Sequence, residues 1–515
     1  MLKNSGAFSY LLIFRLETGK YAVHERVERD YFTFSSFFLK CIDTYVCICY
    51  NLSKINQIEQ GEKDMDWKNI SGEKYDWTKT RKPERPYMHD YTKTLVYKLF
   101  LAIPNEAHTE SIVYETFESA LEVIKKVDLM SLGMPKIVYL VGWQYLGHDS
   151  KYPAWDSVNE SLKRECDKTA KDSLLWLMEE GFKYNTTVSL HINIQDAYKD
   201  SPLWDEYVKE DLITLNADKS LCEGDVWNNQ LCYIVSYKQI WDKGVIQKRI
   251  EELCDFLPIQ KAGTIHIDAM HARADVGHGW SLEDIQAARN KIVRFWRDKG
   301  IDVTSEFCYY ETPDWQARKD QLTGLMPLAY HFSQNLDEYI KKPASLMCGA
   351  NISRRFREGI SDEMDKLFGA SFNIEGIIMK GDWEDTFFDS FCKCEPRYRY
   401  LMSLDRKSAN ITPDDITAEF SDGVKTHIDG RMYKNGELIG NDSFVVVPSK
   451  YQAENVYFAR ADKDVSVDMK KAFGEDGEYS AFRFDKNGVS RNGVKNKLED
   501  GKLLLKKGEV LIIKF

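Results

Sequence analysis

At 515 residues, 43% apolar and 29% charged, the chain is too long for one small core and suits a barrel of a few hundred residues plus an accessory domain. Its 70 basic residues against 81 acidic ones leave a formal charge of −11, which argues against nucleic acid or an anionic membrane as partner. Eleven cysteines, an odd number without repeated Cys-x-x-Cys spacing, indicate no disulfide framework. The most apolar stretch, 31–52, is interrupted by Lys40 and Asp43, so no transmembrane helix is expected. The amino terminus lacks a basic segment followed by an apolar run and a cleavage site, which makes the cytoplasm the expected compartment.

Residues 1–64 are rich in Phe, Tyr and Cys without a sustained period. They read as an N-terminal extension, foreign to the natural domain if translation starts at Met65. The expected catalytic domain is 65–405. Within it, apolar strand-like runs alternate with helical ones, the signature of a parallel α/β fold. The strands are 95–103 (LVYKLFLAI), 136–143 (KIVYLVGW), 186–193 (TTVSLHIN), 263–270 (GTIHIDAM) and 302–309 (DVTSEFCY). Helices are expected at 115–127, 158–180, 245–256 and 281–299, the last with Ser281 as N-cap ahead of Glu283 and Asp284. The interval 194–262 reads as an elaborate loop over the barrel mouth. Candidates for the later strands are 324–331 and 376–380. From about Asp405 short alternating runs are divided by Gly, Asn and Asp turns, including Asn-Gly at Asn435, so 406–515 reads as an antiparallel β-sandwich. The fold class is therefore α/β: a (β/α)8-type TIM barrel with a C-terminal all-β sandwich.

A strand alternates faces, so His266 and Asp268 project to one side of 263–270 and Ile265 and Ile267 to the other. In a parallel barrel those sides are lumen and helix layer, and the chemistry sits at the C-terminal strand ends. Asp268 ends one strand and Glu306 the next. Neighbouring strands lie roughly 4.8 Å apart, compatible with the about 5–5.5 Å between the paired carboxyl groups of a retaining glycosidase. The structural alternative is that Asp268 caps the following helix and Glu306 pairs with an arginine. In VGWQYLGHDSKYPAW, Trp143 could floor a sugar ring while His148 and Asp149 take hydroxyl hydrogen bonds; core packing for Trp143 and a turn for the other two is the competing account. His191 and Asn193 share one face at the end of the third strand, as do His266 and Asp268. Several strands turning polar groups inward favour a site. His191, His266, His271, His278 and Asp268 also invite a metal reading, but no HExxH occurs, nor does GxSxG, GxGxxG or a P-loop, so no metal and no cofactor is expected.

The stretch from 95 to about 310 resembles the catalytic barrel of the endo-α-N-acetylgalactosaminidases, glycoside hydrolase family 101. The resemblance rests on GHDSKYPAW after the second strand, HIN at the end of the third, and the HIDAM and SEF strands. It implies a retaining α-glycosidase with Asp268 as nucleophile, Glu306 as acid/base, and His148 and Asp149 in the innermost sugar subsite. The implied substrate is α-linked GalNAc or Gal-GalNAc of mucin-type O-glycans or glycopeptides. Secreted members carry a large β domain before the barrel and an export signal; neither is seen here, so a smaller imported glycan or glycopeptide is expected. The competing classes are a non-catalytic carbohydrate-binding barrel protein and a metal-dependent barrel hydrolase.

Overall fold

The computed structural model describes residues 13–16, 19–22, 88–309, 321–327, 353–355, 364–411, 416–449 and 453–515. The chain divides into two compact units, Met1–Met65 and Asp66–Phe515. In the first, Ile13–Leu16 and Gly19–Ala22 pair as an antiparallel hairpin.

The second unit is built on five parallel strands: β1 Leu95–Phe100, β2 Lys136–Val141, β3 Thr186–Ile192, β4 Thr264–Ile267 and β5 Asp302–Tyr309. They hydrogen-bond in chain order, forming the parallel part of a seven-stranded sheet. Four helices fill the crossovers: α1 Phe117–Met130, α2 Ala170–Glu180, α3 Val245–Phe256 and α4 Leu282–Asp298. Three of them begin on capping boxes, Thr116 with Ser119, Thr169 with Asp172, and Ser281 with Asp284. Each box satisfies backbone N–H groups that the first helical turn cannot. The cap at Thr169 also explains why the helix expected over 158–180 starts late: only a short 3-10 turn, Glu160–Leu162, precedes it.

All five expected parallel strands are present. The later ones differ. Gln321–Pro327, β6, pairs antiparallel with β5 and is followed antiparallel by β7, Ser353–Arg355. The run read as a strand at 376–380 is instead a helix, Ile374–Ile378, started by Asn373, whose side chain accepts from Gly376 N–H. A five-residue apolar run carries too few turns for its period to tell helix from strand. The described sheet is thus a parallel half-barrel with an antiparallel edge.

From Arg406 onward the strands are antiparallel, in an eleven-stranded sheet accompanied by a two-stranded one, forming a C-terminal β-sandwich. Asn435 and Gly436, at φ 51° and 75°, make the tight turn between Met432–Lys434 and Glu437–Asn441. This is the left-handed pair that Asn-Gly supplies most readily. No helix among the described residues is long and apolar enough to cross a membrane.

Strand alternation sorts the parallel sheet into two faces. Ile265, Ile267, Val188, Leu190, Val138 and Leu140 join the large apolar core against the helices. The other face holds a small apolar cluster of Val96, Ile137 and Tyr139 with Tyr91 and is otherwise polar and largely buried. Tyr139 Oη meets Thr264 Oγ1 at 2.5 Å, Ser189 Oγ donates to the Thr264 carbonyl at 2.6 Å, and His266 Nδ1 meets Thr304 Oγ1 at 2.9 Å. At its N-terminal end lies Asp302, which accepts from the N–H groups of Met88 and His89, from Tyr91 Oη and, at 3.0 Å, from Arg297 Nη1. Both members of the Arg297–Asp302 pair are buried. Removing one partner of such a pair strands the other charge away from water. Asp302→Ala should therefore lower stability by about 3–5 kcal/mol in urea denaturation, and a loss under about 1 kcal/mol would show that the pair does not anchor the sheet.

Candidate active site

The loop after β2 enters the site by a close approach to the chain that follows β1. A Cβ on Gly142 would lie 2.1 Å from the Ala102 carbonyl oxygen and one on Gly147 2.4 Å from it, with φ of +79° and +125°. Only glycine fits this combination of contact and conformation. The approach lets His148 N–H donate to the same carbonyl at 2.8 Å, and it delivers His148 and Asp149 to the sheet's C-terminal edge. Asp149 is itself left-handed, at φ 51°, and its Oδ2 lies 3.3 Å from His148 Nε2. Non-glycine residues in this region carry strain that only surrounding structure can hold.

Three imidazoles then stack across the polar face. His148 meets His191 edge-on with ring centroids 5.1 Å apart, and His191 lies 5.0 Å from His266. His191 and His266 are wholly buried. Both nitrogens of His191, Nδ1 of His148 and Nε2 of His266 are buried without a hydrogen-bond partner. Asp268 follows β4 directly, held by its N–H on the Ile192 carbonyl at 2.8 Å, and places Oδ1 3.7 Å from His191 Nε2. That distance makes an electrostatic contact rather than a hydrogen bond. The ligating atoms of His148, His191 and Asp268 all lie within 4.8 Å of one another.

Burial alone would raise the Asp268 carboxyl, but His191 foremost, then His148 and Lys98, outweigh it and hold Asp268 well below the usual carboxylate range. Asp268 is thus poised as a carboxylate. Burial, reinforced by His191, pushes His148 down to about 3, and burial with His191 and Lys98 also holds His266 well below its ordinary value. These imidazoles are neutral, able to accept or donate a single hydrogen bond.

Two expected sugar contacts take structural positions instead. Trp143 is completely buried, and its Nε1 donates to the His191 carbonyl at 2.9 Å, bracing β2 against β3. A ring that floors a sugar needs an open face. Asn193 turns the chain after β3: its Oδ1 accepts from Gln195 and Asp196 N–H, and its Nδ2 donates to Asp196 at 2.9 Å. Glu306 lies in β5, and the register that pairs Thr264 with Asp302 and His266 with Thr304 runs toward Asp268 and Glu306. The side chains of Glu306 and Phe307 lie outside the described residues. Of the other histidines in the metal reading, His278 is taken by Asp275 at 2.8 Å and Asp211 at 3.0 Å.

The structure adds groups that the motifs did not single out. Lys98, on β1, pairs with Glu375 at 3.1 Å. Strand alternation puts Lys98 on the face of Phe100, whose ring meets His148 edge-on, and that was legible. Asp196 is pushed up to about 7 by burial and by the charge of Asp268, so near neutrality it carries a proton part of the time. Tyr152 and Tyr198 stack at 6.3 Å with both hydroxyls buried and unpartnered. The interval after β3 contains a three-stranded sheet whose hairpin, Glu223–Trp227 with Gln230–Ile234, reaches the site. Asn228 at its tip donates from Nδ2 to the His148 carbonyl at 3.2 Å and accepts on its carbonyl from His108 Nε2 at 2.7 Å. Trp227 beside it is half exposed.

The low value of His148 has a consequence for stability. On unfolding, its imidazole returns to about 6.5 and binds a proton that the folded protein refuses. The stability at stake is present above pH 6.5 and is lost as pH falls toward 3, at up to about 1.4 kcal/mol per pH unit for one proton. In His148→Gln, urea midpoints should therefore decline less steeply between pH 6.5 and pH 4 than in the unsubstituted protein. Parallel declines would place the proton uptake elsewhere.

Residues 85–317 match the family model described as endo-alpha-N-acetylgalactosaminidase, of glycoside hydrolase family 101. Among solved structures, alpha-N-acetylgalactosaminidase NagBb from Bifidobacterium bifidum in complex with GalNAc is similar with 13% identity and a TM-score of 0.45, over 66% of this chain and 57% of that one. Maltogenic amylase from S. marinus is similar with 12% identity and a TM-score of 0.41, over 84% and 67%. The GH36 alpha-galactosidase AgaA from Geobacillus stearothermophilus gives 13% identity and 0.37, over 82% and 55%. The chain thus spans a little over half the length of NagBb. No curated protein sequence matches it. The family match takes in all five parallel strands together with His148, Asp149, His191 and Asp268, so this stretch of the chain resembles the catalytic barrel of the endo-α-N-acetylgalactosaminidases or a close relative.

Proposed function

We propose that this protein is a retaining α-glycosidase acting on α-linked GalNAc or Gal-GalNAc of mucin-type O-glycans or glycopeptides, on a closed (β/α)8 barrel. In this reading 65–405 is the catalytic domain, 406–515 the accessory sandwich, and 1–64 an extension outside the natural domain. The observation that carries it is Asp268: a carboxylate kept ionised by its surroundings, at a parallel strand's C-terminal end, beside the strand that holds Glu306. The substrate class is supported by the description of the matching family. Localisation in the cytoplasm and a partner set limited to carbohydrate or glycopeptide are parts of the same reading.

Asp268 attacks the anomeric carbon while Glu306, protonated, gives its proton to the leaving oxygen. The glycosyl-enzyme ester so formed is hydrolysed by water that Glu306, now a base, deprotonates, and the α configuration is kept. Retention requires the two carboxyl groups about 5–5.5 Å apart, which adjacent strands at roughly 4.8 Å can meet. Neutral His148 and the carboxyl group of Asp149, side by side at 3.3 Å, offer a donor and acceptor set for the sugar's hydroxyls.

The two carboxylates have separable roles. Glu306→Ala should still be loaded by an activated aryl α-glycoside and be rescued by azide, with an α-glycosyl azide as product; Asp268→Ala should not give that product, having no attacking carboxylate. A β-azide from Glu306→Ala, or an α-azide from both variants, would remove the retaining assignment. Asp149→Ala should lose a charge-assisted contact of about 1.5–3 kcal/mol, lowering kcat/KM by roughly 10- to 150-fold. Unchanged kinetics on a cleaved glycoside would take Asp149 out of the subsite.

A further inference from the structure

We infer that His148, His191 and Asp268 form a three-ligand site for a zinc-class divalent cation, which binds in competition with the sugar. The competition rests on the glycosidase reading; the binding does not. The ends of β3 and β4 and the loop after β2 bring two imidazoles and one carboxylate together with their donor atoms within 4.8 Å. This is the donor set of open zinc sites, which keep three protein ligands and leave a fourth position to water or substrate.

The donors are also available. Both nitrogens of His191 and Nδ1 of His148 are buried without a hydrogen-bond partner, an arrangement that costs free energy unless a ligand supplies what is missing. The remaining nitrogen of His148, Nε2, faces Asp149 at 3.3 Å. With ligation through the unpartnered Nδ1, Asp149 would orient the imidazole from behind, as a carboxylate commonly does for a ligating histidine. Asp268 brings a carboxylate to meet a dication, while the ammonium of Lys98 is paired with Glu375 at 3.1 Å. His148 and Asp268 retain 20% and 16% side-chain exposure, so the cluster opens to solvent on their side, with His191 wholly buried beneath. Zinc lies about 2.0–2.2 Å from such donors, which sets them about 3.4 Å apart, so they need draw together by up to about 1.5 Å. By contrast, the grouping of His278 with Asp275 and Asp211 has its imidazole already shared between two carboxylates. A cation bound by Asp268 occupies the carboxylate that must attack the sugar, which makes the two ligands mutually exclusive.

The test uses the full chain, freed of metal with chelator and dialysed. Zinc chloride should raise its Tm, and Co²⁺ should give visible absorption bands of a low-coordinate nitrogen and oxygen site. His191→Gln and His148→Gln, compared at matched far-UV circular dichroism, should lose both signals. If one variant fails to fold, the other still decides. With a cleaved aryl glycoside, zinc should raise apparent KM without changing kcat, roughly tenfold at ten times its dissociation constant. Absence of a Tm shift and of cobalt bands, or signals that persist in both variants, would overturn the site and leave the glycosidase reading intact. If the chelated protein were inactive and zinc restored turnover, the competition and the metal-free carboxylate mechanism would both be overturned, while the binding arm would stand.

Discussion

Water does not reach the inner face of the parallel sheet, so each polar side chain placed there by strand alternation must be answered by another. That constraint organises the molecule. At the N-terminal end Asp302 gathers Arg297, Tyr91 and two backbone N–H groups; further along, Thr264, Ser189, Tyr139, Thr304 and His266 answer one another in pairs. At the C-terminal end the pairing runs out. There His148, His191 and Asp268 keep donors and acceptors that the protein itself does not fill. Unfilled polar capacity at the open end of an otherwise satisfied column is what a binding site is in physical terms.

The same end is built from backbone that approaches too closely for side chains. Gly142 and Gly147 pass over the Ala102 carbonyl, and the left-handed turn through Asp149 follows at once. The hairpin tip at Asn228 then ties to the His148 carbonyl, so the inserted sheet after β3 is fastened to the loop after β2. A displacement of either loop moves His148, and with it one wall of the cluster around Asp268. Electrostatics and loop geometry are therefore coupled through a single residue.

Much of this was legible in the sequence, for identifiable reasons. Continuous apolar runs ending in polar residues mark buried parallel strands, and all five were found; Ser281 with Asp284 set the start of α4 as its spacing suggested. His148, Asp149, His191, His266 and Asp268 converge because each sits at or just past the end of a parallel strand. Trp143 and Asn193 share those positions yet serve the scaffold, since one residue of shift along a strand exchanges lumen for core and a side chain's hydrogen bonds do not show in its type. The antiparallel turn of the sheet after β5 and the helix at Ile374–Ile378 depend on tertiary pairing that short apolar runs do not encode. The sequence marks His191 and Asp268 as candidate ligands, but their grouping with His148 is not a motif, because the three come from β3, the end of β4 and the loop after β2.

The central claim is that Asp268 forms a covalent bond to the sugar. Its most direct measurement is trapping with a fluorinated α-glycosyl substrate that is attacked readily and released slowly, followed by peptide mass spectrometry. The account predicts one sugar per chain, carried by the peptide containing Asp268. A label on Glu306 or on any other carboxylate, or a protein that binds the glycan and never becomes labelled, would contradict it.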